Sequence, residues 1–209
     1  MPIEPVEVKV GVLALQGDFR EHIAVLRSLG ADARPIRRPE ELAEVAGLVI
    51  PGGESGVMDK LSRAFGLAEP LTAAIRSGLP VYGTCAGLIM LADRVLDAMD
   101  GQQSLGGLNI TVRRNAFGSQ LDSFETDLDI PRLGDPPMHA VFIRAPVVEQ
   151  TGEGVAALAT LADGRVVAVE QGNLLGTSFH PEMTGDTRFH KYFLAKVRSA
   201  RWVDSSGLR

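Results

Sequence analysis

The apolar positions of this chain fall into two kinds of run, and their alternation predicts the fold class. Val8-Lys9-Val10-Gly11-Val12-Leu13-Ala14-Leu15, Leu48-Val49-Ile50 and Leu79-Pro80-Val81-Tyr82-Gly83 are almost continuously apolar, and each gives way to a glycine-containing turn. A strand covered on both faces has this character, because neither side of it meets water. Between the first two runs, Phe19, Ile23, Leu26 and Leu29 recur at helical spacing, with Asp18 placed to cap the helix and Gly30 to close it. Ala33-Arg34-Pro35-Ile36 reads as a short extended piece, and Arg38-Pro39-Glu40 as the start of a brief helix. Residues 58–76 read as mainly helical, divided by Gly66 and Pro70, and Leu88-Ile89-Met90-Leu91-Ala92 as one more helix. Strands and helices in strict alternation predict a parallel sheet with helices on both faces.

Beyond about residue 109 the pattern changes. Ile110 and Val112, then Phe124, Thr126 and Leu128, alternate with more polar neighbours, which predicts antiparallel strands joined by loops. Val141-Phe142-Ile143, Val166-Val167-Ala168-Val169 and Leu174-Leu175-Gly176-Thr177-Ser178-Phe179 predict further short strands, and residues 189–197 a closing helix. No repeat, low-complexity tract or long linker interrupts the chain. Residues 1–209 therefore read as one α/β domain with an antiparallel extension, loosely ordered at 1–7 and 200–209.

Charge and composition remove several functions. The net charge is -5 and no run of Lys and Arg is present to neutralise a phosphate backbone, so nucleic acid is not expected as a partner. No apolar run approaches the ~18 residues a membrane helix needs. The acidic, Pro-interrupted start Met1-Pro2-Ile3-Glu4-Pro5-Val6-Glu7 is unlike a signal peptide. The one cysteine, Cys85, allows no intrachain disulfide and suits a reducing cytoplasm.

A lone cysteine is ordinarily small apolar filler. Cys85, however, sits where a predicted strand turns into a predicted helix, flanked as Gly83-Thr84-Cys85-Ala86-Gly87. This is the G-x-C-x-G form of a nucleophile elbow, a turn so tight that only glycine fits on either side of the exposed thiol. The amides and dipole at a helix start also favour a negative sulfur. A cysteine nucleophile needs a base. Of His22, His139, His180 and His190, only His180 has a suitable setting: it ends an apolar run, and Pro181 turns the chain so that Glu182 can meet the same imidazole. The other three are read as surface or packing histidines. No metal-ligand spacing, P-loop or dinucleotide fingerprint occurs, so neither metal nor cofactor is expected.

With these residues in place the chain resembles the class I, triad-type glutamine amidotransferases. Leu15-Gln16-Gly17, Glu21-His22, Pro51-Gly52-Gly53-Glu54-Ser55, Arg113-Arg114-Asn115-Ala116-Phe117-Gly118, Val141-Phe142-Ile143-Arg144-Ala145-Pro146 and Ser178-Phe179-His180-Pro181-Glu182 narrow the resemblance to the glutaminase subunits of pyridoxal 5'-phosphate synthases. The resemblance implies a flavodoxin-like three-layer sandwich with a mostly parallel central sheet. It also implies hydrolysis of L-glutamine to L-glutamate and ammonia, with the ammonia passed to a synthase subunit in a large heteromeric complex. Carried onto this sequence, Cys85, His180 and Glu182 form the triad, and Gly53 and Ala86 the oxyanion hole. Gly53, Glu54, Ser55, Arg114, Ile143 and Arg144 then bind glutamine, Arg114 or Arg144 meeting its carboxylate and Glu54 its ammonium. Arg113 is read as a surface group, and Asp122 and Glu125 as alternative partners for the arginines. Gln16-Gly17-Asp18 and the first helix are the expected docking side. One position departs from the family: Gly56 stands where threonine is usual, which questions the rigidity of that turn. Two rival readings are a stand-alone flavodoxin-like cysteine hydrolase, which needs no Glu182, and a non-catalytic regulatory subunit.

Overall fold

A computed structural model describes residues 7–116 and 123–200. The first strand, β1 (Lys9–Leu13), lies between β2 (Asp32–Ile36) and β3 (Gly47–Ile50), and β4 (Val81–Thr84) follows β3. All of these pairings are parallel, and β12 (Leu174–Thr177) pairs with the far side of β4, also in parallel. The resulting order, β2-β1-β3-β4-β12, is the doubly wound flavodoxin-like arrangement, in which ligands bind beyond the carboxyl ends of the strands.

The continuous apolar runs are explained by two buried layers, one on each face. Val10, Val12, Val49 and Tyr82 face α1 (Phe19–Ser28) and α6 (Arg188–Ser199), which contribute Leu26, Phe189, Phe193 and Val197. Leu13, Leu48, Ile50 and Val81 face the other way, toward α3 (Ser55–Ala64), α4 (Ala68–Arg76) and α5 (Ala86–Leu91). A short α2 (Pro39–Leu42) precedes β3. The break between α3 and α4 falls at Gly66, which has a positive φ of 69°. Pro70 does not divide the segment as expected. It lies in the first turn of α4, where its missing N–H is not needed.

Past β12 the sheet becomes antiparallel, through β11 (Val166–Gln171), β9 (Val147–Thr151) and β6 (Leu108–Arg113), while β5 (Ala92–Leu96) runs parallel to β6 at the edge. The strand β10 (Ala156–Thr160) pairs with β11. Strand β7 (Ser123–Leu128) does not join β6. It forms a separate two-stranded sheet with β8 (Met138–Ile143), whose Met138, Ala140 and Phe142 are buried. The expected loose ends and Phe117, Gly118 and Asp122 lie outside the described residues, apart from Glu7 and Ala200. Among the described residues no helix is long and apolar enough to cross a membrane.

The junction of β4 and α5 is packed to the limit. A Cβ on Gly87 would lie 2.0 Å from the Ile50 carbonyl oxygen, and one on Gly83 would lie 2.5 Å from the Gly87 backbone. Both obstacles are main chain, so no side-chain movement can make room. Gly87→Ala is expected to cost about 3 kcal/mol, lowering the urea midpoint without changing the slope; an unchanged midpoint would contradict this packing.

Candidate active site

The tight junction determines the conformation of Cys85. Its backbone adopts φ 50° and ψ -103°, a strained conformation for a residue with a side chain. The Cys85 N–H donates to the Thr177 carbonyl at 2.8 Å, fixing the elbow to the neighbouring strand. The thiol is thereby turned out of the sheet, 7% exposed, into a cavity of about 730 Å³. Ala86, the first residue of α5, lines the same cavity, as does Gly53 in the loop between β3 and α3.

His180 enters from the end of β12. Its N–H donates to the Val141 carbonyl at 3.0 Å, and Pro181 starts a 3₁₀ turn over Pro181–Met183 that carries Glu182 back to the ring. Nδ1 of His180 lies 2.6 Å from Oε1 of Glu182. It also lies 3.1 Å from Oδ2 of Asp18. Asp18 precedes α1 but makes no side-chain cap bond; its carboxylate turns to His180 instead, a charge-assisted contact. The second acid was thus missed because cap chemistry explained it locally.

Electrostatics follow from this crowding. Burial opposes a charged His180, but hydrogen bonds with Asp18, Cys85 and Glu182 outweigh it and push its pKa up to about 12. Burial raises Glu182 to about 7 despite the pull of His180. Burial also acts upward on Asp18, yet its bonds to His180 and Glu182 hold it below the usual carboxylate range. Near neutrality the imidazolium is balanced chiefly by Asp18, with Glu182 close to its own titration.

The remaining expected residues meet at the cavity wall: Glu54, Ser55, Arg114, Ile143 and Arg144 all line it. The Ile143 carbonyl lies 3.9 Å from the Cys85 sulfur, and Arg144 has a positive φ of 42°. Arg114 donates to Glu54 Oε1 at 2.8 Å and to Gln102 Oε1 at 3.1 Å, and Gln102 in turn donates to Ser55 Oγ at 2.9 Å. Gln102 carries no motif and was not anticipated. The Glu54 carboxylate is already paired with Arg114, and it accepts bonds from the Gly56 and Val57 amides at the start of α3. Those two bonds hold the turn in question without a threonine. Gly56 instead makes room for Met99, whose sulfur would lie 2.4 Å from a Cβ at that position. Gly53 has φ 149°, and the next amide, Glu54 N–H, donates to Gln16 Oε1 at 2.8 Å. Gln16 and Asp18 turn their side chains into the cavity.

Other candidates lie elsewhere. Arg113 pairs on the surface with Asp97 and Glu149, as expected of it. Glu125 pairs with His139 rather than with an arginine. His22 and His190 are both fully buried. Asp18, His22 and Glu182 offer ligand atoms within 4.8 Å of one another, but both carboxylates are already engaged by His180.

Because the folded-state value of His180 lies above its ordinary 6.5, its protonation stabilises the fold fully below that pH. The contribution declines as the pH rises from there toward about 12. Nitrogen-15 NMR of labelled histidine should find His180 protonated throughout the neutral range, and titrating lower in Asp18→Asn. A wild-type His180 that titrates near its ordinary value would contradict the assignment.

Comparison with known proteins gives the site its family. A model of the SNO glutamine amidotransferase family matches residues 12–199. The pyridoxal 5'-phosphate synthase subunit PdxT of Leifsonia xyli subsp. xyli is 70% identical over 189 residues, covering 90% of this chain and 96% of the relative. The PdxT subunit of Streptomyces avermitilis is 57% identical, covering 94% and 97%. A crystal structure of a glutamine amidotransferase superposes with a TM-score of 0.84 at 47% identity, covering 90% of this chain and 98% of that one. A structure of PurLQS from Thermotoga maritima shares the fold, with a TM-score of 0.64 at 16% identity over 91% of this chain and 99% of that one. The chain belongs to the SNO glutamine amidotransferase family.

Proposed function

We propose that this chain is the glutaminase subunit of a cytoplasmic pyridoxal 5'-phosphate synthase, acting throughout as one glutaminase domain. It hydrolyses L-glutamine to L-glutamate and ammonia and passes the ammonia to a synthase subunit within a large heteromeric complex. The observation that carries this reading is the arrangement at His180. One imidazole meets Cys85 on one side and Glu182 on the other, at the wall of a cavity that also holds Arg114.

In the mechanism, the Cys85 thiolate attacks the side-chain amide carbon of glutamine. The carbonyl oxygen takes up the electron pair as an oxyanion, facing the N–H groups of Gly53 and Ala86. Collapse of the tetrahedral species breaks the C–N bond while His180 donates its proton to the departing nitrogen, releasing ammonia and leaving a thioester. Acylation removes the negative sulfur from beside His180, and with it one of the contributions that hold the imidazole protonated. Burial then favours the neutral ring, which accepts a proton from water as the water attacks the thioester. Glutamate leaves and the Cys85–His180 ion pair returns. Glu182 and Asp18 stabilise the imidazolium through Nδ1. Arg114, held by Glu54 and Gln102, and Arg144 suit the α-carboxylate of glutamine. With Glu54 already paired to Arg114, the α-ammonium is expected to join that network rather than meet a free carboxylate.

The short Glu182–His180 contact favours this reading over a stand-alone hydrolase that needs no third residue. Intact Cys85, His180 and Glu182 favour it over a regulatory subunit. The discriminating assay measures glutamate released from glutamine. Release should be weak for the chain alone, stimulated by its synthase partner and abolished in Cys85→Ala; full activity without the partner would support the stand-alone hydrolase, and none in the assembled complex the regulatory subunit. His180→Asn should lower turnover about a thousandfold or more, and a normal rate would remove the triad. Arg114→Gln should raise KM for glutamine about tenfold or more, the effect of one charge-assisted hydrogen bond; an unchanged KM would move the carboxylate site elsewhere.

A further inference from the structure

Behind Glu182, on the side away from His180, two histidines are fully buried and take no part in the chemistry described above. His22 projects from α1 and His190 from α6. Nδ1 of His22 lies 2.9 Å from Nε2 of His190. The other nitrogen of His22, Nε2, lies 3.1 Å from Thr84 Oγ1 and 3.5 Å from Glu182 Oε2. The two ends of this row of side chains are buried without a hydrogen-bond partner: Glu182 Oε2 and His190 Nδ1.

The unpartnered ends decide which way the hydrogen bonds run. Burial, reinforced by the neighbouring His190, lowers the pKa of His22 to about 3, and burial lowers that of His190 to about 4, so both rings are neutral and each carries one proton. Suppose His22 carried its proton on Nδ1 and donated to His190. His190 would then hold its own proton on Nδ1, a buried N–H with no acceptor. His22 would also present a bare lone pair to the Glu182 carboxylate. In the opposite sense His190 Nε2–H donates to His22 Nδ1, and His22 Nε2–H points at Thr84 Oγ1 and Glu182 Oε2. No buried N–H is then orphaned, and the lone pair left unmatched on His190 is a far less costly omission than an orphaned donor. The second sense is the stable one.

We propose that His22 is a positioning residue for Glu182, holding its outer carboxylate oxygen through Nε2–H while His190 fixes the tautomer that makes this possible. With Oε1 against His180 and Oε2 against His22, the carboxylate has one orientation. The same N–H contacts Thr84, the residue before Cys85, so one buried group ties the elbow to the acid. Phe193 and Phe189 pack around Tyr82, whose ring meets His190 edge-on at 5.8 Å, keeping water from the pair.

This proposal rests on the triad reading, and its test separates the two. Long-range proton–nitrogen NMR on the intact, histidine-labelled chain should find His22 and His190 both protonated on Nε2; a proton on Nδ1 of His22 would overturn the proposal without any variant. In the complex with the synthase subunit, His22→Leu should lower kcat about tenfold or more while KM for glutamine changes less than twofold. His22→Gln, which returns an N–H near the Nε2 position, should recover most of the loss. Wild-type kcat in the leucine variant, or a glutamine variant equally impaired, would overturn it. Turnover persisting in Cys85→Ala would instead bring down the triad itself.

Discussion

The backbone at Cys85 is the constraint on which the site depends. A side chain at φ 50° and ψ -103° is tolerated only where the surroundings leave the chain no alternative, and here they are main chain on both sides. Gly87 presses on the Ile50 carbonyl, Gly83 presses on Gly87, and the Cys85 amide is bonded to Thr177 on β12. Because β4 lies between β3 and β12, the same contacts bring the Gly52-Gly53 loop and His180 together beside the thiol. The sheet order and the site geometry are therefore one fact: a parallel strand on each flank supplies one half of the chemistry.

Charge is the second organising feature. The cavity places one imidazole among three acidic groups and buries most of them, so each proton affinity is set by its neighbours. Asp18 is the more ionised carboxylate and Glu182 the closer one, which divides their work. Asp18 supplies negative charge from the half-open rim, and Glu182 supplies orientation from the interior. Two buried histidines behind Glu182 fit this division, because an acid whose role is orientation needs both of its oxygens held.

What the sequence revealed and what it concealed follow from the range of the contacts involved. The elbow and His180-Pro181-Glu182 are local: their geometry is written in five and three consecutive residues, and the structure brings them to one cavity. Strands β1, β3 and β4 were readable because burial on both faces forces unbroken apolar runs. Strands β5, β9 and β10 were not, because Asp93, Glu149, Gln150, Ala156 and Ala157 face solvent and break the apolar runs. Asp18 carried a local explanation as a cap that the structure replaces with a contact 162 residues away. His22 is instructive. It falls on the same stripe as Phe19, Ile23 and Leu26, so helical periodicity alone marks it as buried, while its partner His190 comes from the far end of the chain. Gln102 and Met99 show no sequence signal, since each matters only for what it touches across the cavity.

Every step of the chemistry depends on the Cys85 sulfur acting as the nucleophile toward glutamine. The most direct test is to treat the chain, bound to its synthase subunit, with a diazoketone analogue of glutamine and to map the adduct by mass spectrometry. One adduct is expected, on Cys85, formed more slowly when L-glutamine is in excess and much more slowly in His180→Asn. Labelling at another residue, or labelling of Cys85 that glutamine does not slow, would contradict it.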